Sequence, residues 1–188
     1  PRATAFGRVL REPLLAGYPI ENVTTLTDEE ATKEAIVHAL ERLRTSTSSN
    51  CTVLLYFDGA AAEIATGPES GYYLCPYDYD PNDRRGSSIV CFTGHGPTAT
   101  GYLLETLKNI PAGNALFCLS TCTTDALDLD VTVGSPYYRE KFIERVNLLN
   151  GRAIFSGCKM DEPTYTGIFA NLLFNSFAGV REEDSDID

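Results

Sequence analysis

Polar and apolar positions along this chain follow two rhythms, and the switches between them mark its elements. Over residues 27–43 the apolar side chains recur at helical spacing. Ala31, Ala35, Ile36, Ala39, Leu40 and Leu43 form one stripe, with Glu34, His38 and Glu41 on the other face. Thr27 opens that stretch and Glu30 follows three residues on, the spacing of a capping box, while Asp28 and Glu29 suit the positive end of a helix dipole. The pattern predicts a helix beginning at Thr27 that leaves His38 solvated. Three later stretches, "CTVLLYF" (51–57), "NALFCLS" (114–120) and "RAIFSG" (152–157), are continuous apolar runs of strand length, as found where both faces of a sheet are covered. A short β-prone run also leads into the Gly-His-Gly around His95. Helical stretches are predicted at 98–109, 137–150 and 164–178. Strands alternating with helices predict an α/β fold with a mainly parallel sheet. Ligands of such sheets bind beyond the carboxyl ends of the strands, which singles out "DGAAAE" (58–63) and "STCTTD" (120–125) as two loops expected to face each other across one end.

Composition narrows the function classes. The 188 residues, 43% of them hydrophobic, suit one core, so residues 1–180 are expected to form one domain and the charge block "REEDSDID" (181–188) a disordered tail. A net charge of −11 argues against nucleic acid and anionic membrane surfaces, which would repel the chain. No apolar run reaches the ~18 residues of a membrane span. The six cysteines, at 51, 75, 91, 118, 122 and 158, include no C-x-x-C pair and no histidine cluster of zinc spacing. Several sit inside apolar runs as small hydrophobes, which fits an intracellular, reducing compartment such as the cytoplasm. The chain starts at Pro1, so an upstream targeting segment is compatible with it.

Four segments, in order, carry a resemblance: "ENVTTLTDEEATKEAIVHAL", "YYLCPYDYD", "NIPAGNALFCLSTC" and "IFSGCKMDEPTY". Together they resemble the caspase-like cysteine peptidases, and specifically the metacaspase branch. The first looks like that family's strand and capped helix, the second its "YLLPYD" segment, the third the "LPAG" turn and the strand that delivers the nucleophile, the fourth its "SGC-x-x-D-E/Q" strand end. The resemblance implies a three-layer α/β/α sandwich around a mostly parallel central sheet. The family's first strand and its "GCxxDA" segment should precede the helix that "AFGRVLREPL" continues. This chain does not supply them, so an upstream piece or another chain is expected to complete the sheet and cover its edge.

The family's site residues transfer position by position. Where the strand matching "VLLYF" would end in Ser-Gly-His-Gly, this chain reads Asp58-Gly59-Ala60, so alanine stands at the position of the catalytic base. Where the next strand would carry Asp-x-Cys-His, it reads Ser120-Thr121-Cys122-Thr123. Cys122 thus keeps the nucleophile position, and Ser120 replaces the acid that helps hold a basic P1 side chain. The acidic pair of calcium-dependent members would fall near Thr100 and Gly101, where no carboxylate stands, so no calcium and no other cofactor is implied.

The chemistry of these losses sets the functional expectation. A thiol attacks as thiolate, and at an ordinary pKa of ~8.5 only a few per cent is ionised at neutral pH. The base must also protonate the leaving amine, which alanine cannot do, and losing a member of such a unit costs on the order of 10⁴ to 10⁶ in turnover. The expectation is a degenerate, inactive member that acts by binding, as a structural or regulatory subunit of a host complex, with Cys122 vestigial; a third reading, that these loops bind a peptide without cutting it, predicts a retained apolar groove. The alternative is an active endopeptidase in which His95 or Asp58 replaces the missing base. His95 follows the "YLLPYD" segment instead of preceding it, which reads as a solvated turn residue, and Asp58 reads as a loop-capping aspartate. Asp78, Asp80 and Asp83 in "YDYDPND" have cation-binding chemistry but also ordinary turn chemistry, and are read as a turn.

Overall fold

The apolar runs become the parallel part of one sheet. A computed structural model describes residues 2–64, 71–80, 82, 90–94, 102–123, 150–156 and 168–179. Its elements are α1 (Arg2–Arg11), α2 (Lys33–Ser46), β1 (Thr52–Ile64), β2 (Gly71–Leu74), β3 (Val90–Gly94), α3 (Tyr102–Asn109), β4 (Asn114–Thr123), β5 (Arg152–Ser156) and α4 (Ile168–Ala178). The five strands are ordered β3-β2-β1-β4-β5. β1, β4 and β5 run parallel, as the run pattern requires, while β2 and β3 extend the sheet antiparallel beyond β1. The protein is therefore of mixed α/β class. The helix expected over 137–150 lies outside the described residues except for a turn at Asn150, and so does the tail at 181–188.

Helices lie on both faces of the parallel strands, which is why those strands are apolar throughout. On one face Val53 of β1 and Ala115, Phe117 and Leu119 of β4 join Leu40 of α2, Leu107 of α3 and Ile110 just beyond it in the main core. On the other, Tyr56 of β1 meets Phe6 of α1, with ring centroids 4.9 Å apart, and Phe6 stacks on Phe174 of α4 at 5.0 Å. Phe6 is almost wholly buried, and a phenylalanine so placed contributes about 1.5–3 kcal/mol. Alternation along the strands puts positions 56, 58 and 60 on this second, aromatic face.

Two local expectations are corrected. The helix does not start at Thr27: residues 28–30 form a single 3-10 turn, and Asp28 adopts φ 50°, in the left-handed region, which breaks helical continuity. α2 begins at Lys33, where Thr32 Oγ1 accepts from the Ala35 amide at 3.2 Å and Asp78 Oδ1 accepts from the Lys33 amide at 2.8 Å. The start is thus fixed partly by a carboxylate 45 residues away, supplying an acceptor for an otherwise orphaned donor. The second correction concerns the strand expected just before it. Residues 23–27 pair with no strand among the described residues. Instead Arg11 Nη2 donates to the Val23 carbonyl at 2.9 Å, and this extended stretch runs close over α1. Gly7 allows that approach, since a Cβ there would stand 2.7 Å from Thr25 Oγ1.

At the opposite end of the sheet, Arg152 at the start of β5 ties down the exit of α3. Its guanidinium donates to the carbonyls of Leu107 (3.0 Å), Ile110 (2.8 Å) and Gly113 (3.3 Å), a cation on the negative end of the helix. Gly113 is glycine because the Ser49 carbonyl crosses immediately over it, leaving no room for a Cβ.

Candidate functional site

The stretches expected as loops are strand. β1 does not stop at Phe57 but continues through Asp58, Gly59 and Ala60 to Ile64, and β4 continues through Ser120 and Cys122 to Thr123. The cause is the pair of neighbouring strands. The ladder with β4 runs on through Ala61, β2 pairs with residues 61–64, and the Cys75 amide donates to the Ala60 carbonyl (3.0 Å), so the second half of β1 is held in ladders that local composition does not announce. The two stretches still lie side by side, now in strict register: Asp58 with Ser120, Gly59 with Thr121, Ala60 with Cys122 and Ala61 with Thr123. The position expected to hold a base therefore shares a rung with the position expected to hold a nucleophile, on adjacent strands about 4.8 Å apart.

One rung below, Asp58 is engaged. Arg2 of α1 donates from Nε to Oδ2 at 2.5 Å and from Nη2 to Oδ1 at 2.9 Å, a two-pronged contact between residues 56 apart in sequence. The Asp58 side chain is only 11% exposed and that of Arg2 39%, so the carboxylate is set into the face and the guanidinium reaches it from outside. Both carboxylate oxygens thus accept charge-assisted bonds and are committed to Arg2.

Behind the pair stands Tyr56. Burial, and next the negative charge of Asp58, push its hydroxyl up to about 12, against the opposing influence of Ser120 and Arg2. It therefore stays neutral over the whole physiological range. The hydroxyl oxygen is shielded from solvent, with Asp58 and Ser120 close enough to influence it. The ring belongs to the aromatic cluster with Phe6 and Phe174, and Phe177 closes edge-on against Phe6 at 5.4 Å.

The remaining candidates fall as follows. Cys122 is placed by its backbone on β4, and Ser120 and Ala60 are both half-buried. His95, Asp83, Thr100, Gly101 and Asp125 lie outside the described residues. His38 is exposed on α2. Asp78 caps α2, and Asp80 Oδ1 accepts from the Asn82 amide at 2.8 Å and from its Nδ2 at 3.1 Å, so these two acids are engaged in turn and cap bonds. Among the described residues no group of three or more His, Cys, Asp or Glu is placed to hold a metal ion, and no helix among them is long and apolar enough to cross a membrane.

Among the described residues, Cys51, Cys75 and Cys118 are free thiols. Burial raises Cys75 and Cys118 to about 11 each, in keeping with their reading as small hydrophobes. Cys51 departs from that reading. At the entry to β1, its sulfur lies 3.4 Å from the Ser48 amide and 3.5 Å from the Ser48 hydroxyl, and these contacts lower its pKa.

Sequence reasoning missed Arg2 and Tyr56. Nothing local marks Arg2, whose partner lies on another element, and Tyr56 was hidden as one more apolar letter of a buried strand. Comparison of the chain with protein-family models, with curated proteins and with solved structures finds no match.

Proposed function

We propose that this is a non-catalytic, metacaspase-like domain that acts by binding, as a structural or regulatory subunit of a larger assembly. The observation that carries the reading is the rung pairing Ala60 with Cys122. Adjacent parallel strands bring together the two positions that the four sequence motifs assign to base and nucleophile, and one of them has no titratable group. The next rung adds support, because its carboxylate is committed to Arg2. A thiol without a base is mostly protonated at neutral pH and has no acid for the leaving amine. What remains is a folded α/β scaffold with a strongly acidic surface, suited to association through charge and shape.

The test is a peptidase assay with lysine-, arginine- and aspartate-type peptides, with and without calcium. No turnover above background is expected. Turnover that Cys122→Ala abolishes would establish the alternative, an endopeptidase served by His95 or Asp58, and Asp58→Asn and His95→Ala would then tell which residue serves.

A further inference from the structure

The turn that leads into β5 joins a reactive side chain to a backbone position that only glycine can hold. Asn150 and Gly151 are both exposed there. Gly151 has φ 69°, in the left-handed region, and a Cβ on it would run into the Gly113 carbonyl. The fold therefore requires glycine after Asn150. An asparagine side-chain amide is most open to attack by the next backbone nitrogen when no side chain crowds that nitrogen, and glycine meets this condition. The same turn seats Arg152, whose guanidinium holds the carbonyls of Leu107, Ile110 and Gly113 at the exit of α3.

We propose that Asn150 is a site of spontaneous deamidation, and that its isoaspartyl product releases the hold of Arg152 on α3. The Gly151 nitrogen attacks Asn150 Cγ and closes a five-membered succinimide. The bond from Cγ to Nδ2 breaks, and ammonia leaves carrying the proton of the Gly151 amide. Water then opens the ring at one of its two carbonyls. Opening at Cγ gives aspartate on an unchanged backbone. Opening at the main-chain carbonyl leaves Gly151 joined through Cβ and Cγ, an isoaspartyl linkage with an extra backbone atom. Either product exchanges a neutral amide for a carboxylate, with water as the co-reactant. The lengthened backbone meets a seat without slack. The Gly151 carbonyl accepts from the Ala115 amide at 2.8 Å, Ala115 is registered with Arg152, and the Gly113 carbonyl lies directly over Gly151. An extra atom there displaces the entry of β5 and carries the Arg152 donor away from carbonyls that α3 cannot satisfy internally. The aspartyl product leaves that seat intact, so the two products separate a backbone effect from a charge effect. The site is at the end of the sheet away from the Cys122 rung and does not depend on whether the domain is catalytic.

The full chain, incubated in mildly alkaline buffer and sampled over time, tests the site by peptide mass spectrometry. Position 150 should convert at least about tenfold faster than the exposed Asn109 and Asn171, where Ile110 and Leu172 crowd the attacking nitrogen. Isoaspartate is identified by methyl transfer from S-adenosylmethionine with an isoaspartyl methyltransferase, which leaves ordinary aspartate unmarked. Asn150→Ala should abolish that signal at this position. Conversion at 150 no faster than at 109 and 171 overturns the site. The isoaspartyl form, separated by ion exchange, should unfold at lower urea than the original chain, whereas Asn150→Asp should stay close to the original. In Arg152→Ala, or in Arg152→Lys should that variant not fold, the isoaspartyl loss should shrink by at least about half, because changes that act through one contact do not add. An equal loss in Asn150→Asp, or an undiminished one without the Arg152 guanidinium, overturns the release of α3.

Discussion

Replacing Ala60 with histidine puts an imidazole on the rung shared with Cys122, and the register sets the size of the effect. Partnered positions on neighbouring strands are about 5 Å apart, within reach of an imidazole–thiol contact. At an ordinary thiol pKa of ~8.5, about 3% is thiolate at pH 7; an imidazolium partner that lowers it by about two units raises that to roughly three quarters. The less basic thiolate is also a weaker nucleophile, which takes back about eightfold at a Brønsted slope near 0.45. Alkylation of Cys122 should therefore be about threefold faster than in the unmodified chain at pH 7, about tenfold faster at pH 6, and slower above about pH 8. Iodoacetamide labelling resolved by mass spectrometry follows the Cys122 peptide separately from the other cysteines. The two pH profiles should cross. If they superpose while circular dichroism shows Ala60→His folded, the rung does not bring the two side chains together, and the assignment of position 60 as the vacated base position fails. On the proposed reading, peptide hydrolysis is not expected from this change alone, because serine stands at position 120 where the resembled family carries an acid.

Other consequences can be checked by simpler means. Arg152→Ala leaves the carbonyls of Leu107, Ile110 and Gly113 without their shared donor and should lower stability in urea by about 1–3 kcal/mol, with Arg152→Lys recovering part of it. Tyr56 has a folded-state pKa of about 12, above its ordinary value, so the protonated form is favoured by folding. Stability should thus be undiminished below about pH 10 and fall as pH rises towards 12, by about 1 kcal/mol once the ring's partial exposure is allowed for. Urea midpoints of the chain and of Tyr56→Phe across that window should converge at lower pH and separate at higher pH. Among Cys51, Cys75 and Cys118, Cys51 should be alkylated first at pH 7, and Ser48→Ala should slow it. Comparable labelling of all three in the native state would contradict the burial assigned to the other two.

Much of this fold is legible in the sequence where one face or one period decides the matter. The runs around Val53, Phe117 and Ile154 are apolar on both faces and read directly as parallel strands. The stripe through Ala35, Ile36, Leu40 and Leu43 reads as a helix. Features fixed by a partner far along the chain are not legible. The capping-box spacing at Thr27 precedes only a short turn and makes no side-chain cap bond, because Asp78 and Thr32 together place the start of α2. The small residues Gly59 to Ala62 look like loop because their strand character comes from their ladder partners on β4 and β2. At the candidate site, motif order placed Ala60 and Cys122 on facing segments. It did not place Arg2, whose fork on Asp58 depends on how α1 lies against the sheet.

The length of β1 has a mechanical side. Its 13 residues belong to two ladders, and at Ala61 the ladders overlap: that residue is registered with Thr123 of β4 on one side and with Leu74 of β2 on the other. No loop intervenes between the outer hairpin and the Cys122 rung. A load or a bound strand that displaces β2 is therefore transmitted along a continuous hydrogen-bonded beam to the position beside Cys122, and from Asp58 through the ion pair to α1. β1 is in this sense a lever between β2 and the first helix.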